Sequence, residues 1–283
     1  MTASDPMERS RIRRGGWVPP GPRPAGALGR AELVPGAEED LAFLTGDFRI
    51  FQLKVGHRWS LDDFVTAYVA LEANPSARRA ADLGCGIGSV LMMLAWGLPE
   101  ALLAGVEAQD LSARMAERSI AYNGIEDRCA LVRGDLRETH DALPPGSFDL
   151  VTGTPPYIPI GSGLVSNKEQ RRPCFFETLG GIEDYARAAA RLLAPGGRFV
   201  ACYGVWPELR GEDAARAAGL EVISRLDVIP REGKPVLFRV VTAGRAAEIG
   251  DNEPAVLRFV VRDRNGDITS DMLRARERMG QPP

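Results

Sequence analysis

Three glycines at alternate positions, Gly84, Gly86 and Gly88, separate a short apolar run that ends in Asp82 from an apolar run with helical spacing. This pattern predicts a strand, a tight turn and a helix. Glycine adopts the positive φ angles that such a turn needs, and it leaves bare backbone against which a ligand can lie. The unpaired N–H groups at the start of the helix can also bind a ligand. We therefore expect a ligand-binding site at this turn.

The next three apolar runs each end in groups that could serve the same site. Glu107 ends the second strand, where a carboxylate can accept hydrogen bonds from both ribose hydroxyls of a nucleoside. Asp135 follows the third strand, and Thr154–Tyr157, which reads Thr-Pro-Pro-Tyr, follows the fourth. The carboxyl ends of parallel strands meet at one edge of a sheet, and open α/β sheets bind ligands there. The four strand ends therefore predict one composite site.

The elements that position these residues alternate between strands and helices. Such alternation after residue 79 predicts an α/β fold, a mostly parallel sheet with helices on both faces. Ser60, with Asp63 three residues later, is a plausible N-cap for an earlier helix. Residues 48–52 alternate in polarity and predict a short strand or hairpin before that helix.

The strand ends resemble the motifs of the class I S-adenosylmethionine (SAM) dependent methyltransferases. Asp82–Gly88 is similar to the first motif of that family, Glu107 to its ribose-binding acid and Asp135 to its adenine-contacting acid. Thr154–Tyr157 stands where amino-methylating members carry Asn-Pro-Pro-Tyr. The resemblance implies a Rossmann-like fold with a mostly parallel, seven-stranded sheet, and it implies SAM as the cofactor.

Within that family the chain resembles bacterial methyltransferases that modify the N6 amino group of an adenine in valine tRNA. In those enzymes the segment before the first motif lies over the methionine end of SAM. By this resemblance Gln52, Ser60 and Asp62 are candidate cofactor contacts, together with Leu136 and Thr154. The resemblance covers about residues 47–275.

The resemblance assigns the methyl acceptor to Thr154, Pro155, Pro156 and Tyr157. In Asn-Pro-Pro-Tyr, the Asn oxygen and the carbonyl of the first proline accept hydrogen bonds from the target amino group, while the aromatic ring stacks on the base. The prolines hold that carbonyl in one orientation. Thr154 replaces the Asn here and offers a hydroxyl on a shorter, β-branched side chain. This departure bears on the acceptor far more than on the cofactor.

Adenine N6 in tRNA is the expected acceptor, and other interpretations stay open. They are a protein glutamine amide, a small amino-bearing molecule, and a non-catalytic SAM-binding module that binds RNA or another partner. A nicotinamide-dependent oxidoreductase is disfavoured by the G-x-G-x-G spacing. The net charge of −3 is not that of a generally basic nucleic-acid-binding protein, so an RNA acceptor would need a local basic patch.

Composition divides the chain into three parts. Residues 1–46 are rich in Pro, Gly and Arg and are expected to be mostly disordered, as a solvated tail or as an arm that contacts RNA phosphates. Residues 47–250 form the predicted methyltransferase domain, and residues 251–283 a C-terminal extension packed on it or trailing from it. Residues 158–176 form a long loop with cations and phenylalanines that could contact RNA or anchor the next helix; these are Lys168, Arg171, Arg172, Phe175 and Phe176.

Other sequence features argue against a metal site and against a membrane span. The four cysteines lie far apart and only two histidines accompany them, so we expect buried thiols in a reducing cytoplasm rather than a metal centre. No apolar run approaches the roughly 20 residues that a spanning helix needs. A cytoplasmic location is therefore expected.

Overall fold

The computed structural model describes residues 17–56, 58–138, 142–157, 177–245 and 253–283. These residues form ten strands and six α-helices. The strands are β1 (Glu39–Phe43), β2 (Arg49–Leu53), β3 (Arg79–Leu83), β4 (Leu102–Glu107), β5 (Cys129–Arg133), β6 (Phe148–Gly153), β7 (Leu193–Tyr203), β8 (Leu220–Ile229), β9 (Phe238–Arg245) and β10 (Ala255–Val260). The helices are α1 (Leu61–Ala73), α2 (Ser89–Gly97), α3 (Asp110–Asn123), α4 (Ile182–Leu192), α5 (Arg210–Ala217) and α6 (Ser270–Arg278).

Eight of these strands form one sheet in the order β10-β8-β9-β7-β6-β3-β4-β5. Strands β3 to β7 are mutually parallel. Strand β9 is antiparallel to both β7 and β8, and β10 is parallel to β8. Among the eight described strands, β9 is thus the one that is reversed. The predicted α/β fold with a mostly parallel sheet is confirmed.

The predicted number of seven strands is wrong, because β10 adds an eighth at the edge of the sheet. This strand comes from the C-terminal extension, and four of its six side chains are exposed. An edge strand of this kind lacks the continuous apolar run that marks a buried parallel strand, so the sequence pattern hardly distinguishes it from a loop.

Alternate side chains of the central strands face two separate hydrophobic layers. Ala80, Leu150 and Val200 pack with α1, α2 and α3 on one face. Their chain neighbours Ala81, Val151 and Phe199 pack with α4 and α5 on the other. The two-residue period of a strand produces this division. Burial on both faces holds the carboxyl ends of β3 to β7 in register at one edge of the sheet.

Residues 17–46 pack against the domain, so the expected disorder does not hold for them. The Gly26 N–H donates to the carbonyl of Tyr122 at 2.9 Å, and Leu33 is buried. Strand β1 pairs with β2 in the predicted hairpin, and Arg118 of α3 binds Glu39 of β1. Residues 1–16, the candidate loop contacts of residues 158–176 and both histidines lie outside the described residues.

The C-terminal extension also packs on the domain. Ala275 and Met279 are buried in the same layer as α1 and α2, and the Gly46 N–H donates to the Gly280 carbonyl at 3.0 Å. Within the described ranges, no helix combines the length and apolar character needed to cross a membrane.

Candidate active site

The glycine turn between β3 and α2 has the backbone conformation that its sequence predicts. Gly84, Gly86 and Gly88 have φ angles of 57°, 58° and 88°. A Cβ on Gly84 would lie 2.0 Å from the hydroxyl oxygen of Tyr185, so this position has no room for a side chain. Gly84 and Gly86 line a cavity at the carboxyl edge of the sheet, whereas Gly88 is the N-cap of α2 and does not line it.

Asp82 lies beneath the turn and does not line the cavity. Its carboxylate accepts hydrogen bonds from the Leu91 N–H at 3.1 Å and from the Thr152 hydroxyl at 2.8 Å. Burial raises the pKa of this carboxyl to about 7. Asp82, which the sequence predicted as a cofactor contact, therefore connects the start of α2 to β6 through these two hydrogen bonds.

Replacing Asp82 with alanine is expected to lower the free energy of unfolding by about 3 kcal/mol, because two buried donors lose their acceptor. Asp82→Asn keeps one oxygen acceptor and should cost less. Urea unfolding followed by circular dichroism measures both variants. An alanine variant as stable as the parent protein would show that the two hydrogen bonds do not hold the turn.

Glu107 lines the cavity at the end of β4. One carboxylate oxygen accepts from the Gly86 N–H at 2.8 Å and the other from the Gln109 N–H at 2.7 Å. Burial raises the pKa of Glu107, against the effect of these two donors. The carboxylate is thus held beside the bare backbone of the glycine turn, as the sequence predicted.

Asp135 and Leu136, which follow β5, line the same cavity. The Arg137 Nε donates to Asp135 Oδ1 at 2.9 Å, and this hydrogen bond lowers the pKa of the Asp135 carboxyl. Asp135 therefore stays ionised and can accept a hydrogen bond from a ligand at this end of the cavity.

All four residues of Thr154–Tyr157, which follow β6, also line the cavity. The Tyr157 hydroxyl lies 3.2 Å from Asp62 Oδ2, to which it can donate, and 2.9 Å from Cys202 Sγ at the end of β7. Burial raises the pKa of the Tyr157 phenol, so that it keeps its proton. The ring is anchored at its hydroxyl end by residues from α1 and β7.

Of the three candidate cofactor contacts that precede the first motif, the structure places two at the cavity and one away from it. Ser60 and Asp62 line the cavity, and the Ser60 N–H donates to Asp63 Oδ2 at 3.0 Å in the predicted cap of α1. Gln52 is buried away from the cavity, with its Nε2 at 3.4 Å from Asp40 Oδ2. The structure thus brings together two of the three candidates from this segment.

Several cavity residues were not predicted as site residues. Asp63 was identified only as part of a helix cap; burial and, after it, the Asp62 carboxylate raise its pKa to about 8. Tyr185 of α4 closes over Gly84, and Leu179 and Gly180 complete the wall beside it. No local motif marks these three residues, because only the tertiary fold brings them to the sheet edge.

The cavity that these residues share has a volume of about 610 Å³, within the range of small-molecule and cofactor sites. The glycine turn, Glu107, Asp135 and the Thr-Pro-Pro-Tyr run all line it, at the ends of β3, β4, β5 and β6. Four carboxylates and one cation, Arg58, line it among the described residues. Such a cavity can hold a nucleoside-containing cation beside a second, planar ligand.

Comparison with known proteins agrees with this geometry. Residues 63–167 match the sequence model of the methyltransferase small domain family. A 4-amino-L-phenylalanine/4-methylamino-L-phenylalanine methyltransferase of Streptomyces pristinaespiralis is 38% identical over 128 residues, which are 43% of this chain and 42% of that enzyme. The chain thus spans less than half the length of that relative.

A tRNA1(Val) (adenine(37)-N6)-methyltransferase of Yersinia pseudotuberculosis is 28% identical over 175 residues, which are 60% of this chain and 67% of that enzyme. The crystal structure of a predicted O-methyltransferase from Agrobacterium tumefaciens superposes with a TM-score of 0.55 and 20% identity, covering 78% of this chain and 98% of that one; it supports the fold alone. The chain thus has the mostly parallel fold of the class I, Rossmann-like methyltransferases, and its residues 63–167 are similar to the methyltransferase small domain.

Proposed function

We propose that the protein transfers a methyl group from SAM to an amino nitrogen, and that the acceptor is the N6 amino group of an adenine in tRNA. One observation carries the proposal: the Thr-Pro-Pro-Tyr run and the glycine turn line the same cavity, so that acceptor and cofactor can meet. The likeness to a tRNA adenine-N6 methyltransferase supports the choice of acceptor. The roles in tRNA processing and the cytoplasmic location stay predictions.

The cavity has the donors, acceptors and charges that SAM requires. Gly84 and Gly86 present bare backbone to the cavity, and a Cβ on Gly84 would clash with the Tyr185 hydroxyl. Glu107 can accept from the ribose hydroxyls, and Asp135 with Leu136 can hold the adenine. Asp62, beside Ser60, can accept from the methionine ammonium. The bound cofactor would supply an electrophilic methyl group on a sulfonium.

The acceptor wall can prepare an amino nitrogen for attack. The Pro155 carbonyl and the Thr154 hydroxyl can each accept a hydrogen bond from the amino group, which favours a pyramidal nitrogen with its lone pair free. The Tyr157 ring can stack on a flat base. In-line geometry matters more than a strong general base here, because the leaving thioether is neutral. Thr154 reaches less far than the Asn of the motif, so its hydroxyl would act closer to the backbone.

The proposal is tested by incubating the purified protein with SAM carrying a labelled methyl group and total tRNA from cells that lack this protein, followed by nucleoside analysis. Label in N6-methyladenosine is the expected result. The Glu107→Ala variant serves as the matched control with a damaged cofactor site. Tight SAM binding without labelled tRNA would overturn the proposed acceptor.

A small aromatic amine is the second candidate acceptor. The likeness to the Streptomyces 4-amino-L-phenylalanine methyltransferase favours it, and so does the excess of carboxylates over cations among the described residues that line the cavity. The same assay with 4-amino-L-phenylalanine in place of tRNA distinguishes the two. Label in the amino acid alone would replace the first proposal, whereas SAM binding without transfer to RNA, protein or amine would favour a non-catalytic module.

Binding of SAM is expected to release protons near neutral pH. The pKa of Asp63 is about 8 in the free protein, so this carboxyl is largely protonated at pH 7. A bound cation in the cavity would lower that pKa and expel the proton, so SAM affinity should increase as the pH rises from about 6 to 8. Calorimetric titration in buffers of different ionisation enthalpy measures the release. The Asp63→Asn variant should show neither effect, and an unchanged pH dependence in that variant would contradict the assignment.

A further inference from the structure

The segment of residues 204–210, which follows β7, touches the cavity wall at both of its ends. At its start, a Cβ on Gly204 would lie 3.3 Å from the Cβ of Tyr157. At its end, Arg210 Nη1 donates to Glu177 Oε1 at 2.6 Å, and Glu177 begins the 3₁₀ turn that borders the cavity. The segment therefore lies next to two parts of the cavity wall, Tyr157 and the turn that begins at Glu177.

The middle of the segment presents an apolar surface to solvent. Trp206 is 81% exposed, and Val205 and Leu209 are 40% and 47% exposed. We call these three residues the apolar rim. Tryptophan buries a large area when it finds a partner, and residues of this type are enriched where binding energy is concentrated. An exposed indole beside a substrate site is thus a surface suited to a flat, aromatic partner.

The backbone under the rim is held in place before any partner arrives. The Val205 carbonyl accepts from Arg239 Nη1 at 2.8 Å, and Arg239 Nε donates to Asp227 Oδ1 at 3.0 Å. Arg239 is buried, and its Nη2 also lies 3.6 Å from Glu208. A preordered surface loses little conformational entropy on binding.

We propose that Trp206 stacks on a nucleobase next to the target adenine, in a single-stranded stretch of the RNA acceptor. The inference rests on the proposed tRNA function and deepens it. Sequence-specific RNA recognition commonly uses unpaired bases stacked on aromatic side chains. A small amine would be enclosed in the cavity with the cofactor, whereas an RNA strand must continue outward past the rim.

Two exposed cations lie at the same edge of the sheet as the rim, together with the exposed acids Glu208 and Glu232. Arg231 and Lys234 are exposed in the loop after β8, which runs in the same direction as β7 and ends at the same edge of the sheet. The two strands are separated only by β9, which places the loop roughly 10 Å from the end of β7. Cations at this edge of the sheet can pair with the phosphates of a strand that passes over Trp206.

The inference is tested with Trp206→Ala, Trp206→Phe and a control, Leu102→Ala. Leu102 is 54% exposed at the start of β4, on the opposite edge of the sheet. The probe is a fluorescein-labelled stem-loop RNA with an adenine in its unpaired loop, and its binding is followed by anisotropy in the presence of SAM. We expect Trp206→Ala to raise the Kd for RNA about tenfold. Trp206→Phe should raise it about threefold or less, and the control should leave it unchanged. SAM affinity should be the same in all variants.

The outcomes separate this inference from the proposed function. Equal RNA binding by Trp206→Ala and the parent protein overturns the stacking role, even if the parent methylates tRNA. Weakened binding by Trp206→Ala supports stacking, even if no N6-methyladenosine forms and the proposed reaction fails. A parent protein that binds no RNA overturns both.

Discussion

Replacing Glu107 with alanine is expected to weaken SAM binding about 100-fold. The carboxylate is held at the edge of the glycine turn by the Gly86 and Gln109 N–H groups, where it can accept hydrogen bonds from both ribose hydroxyls. Hydrogen bonds to a charged group contribute about 1.5–3 kcal/mol each, and the lower limit for two of them, about 3 kcal/mol, corresponds to a change in Kd on the order of 100-fold. Calorimetric titration of SAM into the purified variant gives the affinity directly.

Two further variants distinguish lost contact from lost structure. Glu107→Gln keeps the shape and one oxygen acceptor, so its affinity should lie between the alanine variant and the parent protein. Glu117→Ala removes a half-exposed acid of α3 that pairs with Arg133 and does not line the cavity, and it should bind SAM normally. Glu107→Ala with an affinity within threefold of the parent, at an unchanged melting temperature, would rule out the ribose contact.

The meeting of the strand ends in one cavity was largely predictable, because it follows from local patterns and one rule of topology. Gly84, Glu107 and Asp135 each follow an apolar run, and parallel strands bring such positions to one edge. The structure places all three in one cavity. A position at a strand end determines where a residue lies along the sheet, and this was enough to predict that the three residues lie close together.

The position of a residue in a strand does not predict the hydrogen-bond partners of its side chain. Asp82 belongs to the same motif as Gly84, but its carboxylate is taken by Leu91, nine residues away, and by Thr152, seventy residues away. Gln52 is similarly directed toward Asp40 of β1. These partners are set by tertiary packing, and the spacing of a motif carries no information about them.

The acceptor side was less predictable because its parts are scattered along the chain. The Thr-Pro-Pro-Tyr run marked the wall, but Cys202 at the end of β7 and Asp62 in α1 meet the Tyr157 hydroxyl only in the folded protein. Trp206 is another residue that no motif identifies, since its position near the cavity follows from the contact of Gly204 with Tyr157 in the folded protein. The residues proposed to contact the acceptor are therefore the ones that sequence patterns identify least well.

Replacing Tyr157 with alanine is expected to lower kcat by about 100-fold while SAM affinity stays within about threefold. The ring lines the acceptor wall and is held at its hydroxyl by Asp62 and Cys202, so its loss leaves the target amino group without a stacking surface. A misplacement of about 1 Å at a reacting centre can cost roughly 100-fold in rate. Single-turnover transfer of labelled methyl to tRNA, with SAM affinity measured in parallel, gives both quantities.

Tyr157→Phe is the matched variant, because it keeps the ring and removes only the hydroxyl. Its kcat should fall no more than about tenfold, since stacking is retained while the anchor to Asp62 and Cys202 is lost. Two residues of the cavity are thus expected to have separable effects, Glu107 on the affinity for the cofactor and Tyr157 on the rate of transfer. Equal losses of SAM affinity and turnover in Tyr157→Ala would instead mean that this ring supports the cofactor side, and that the acceptor binds elsewhere.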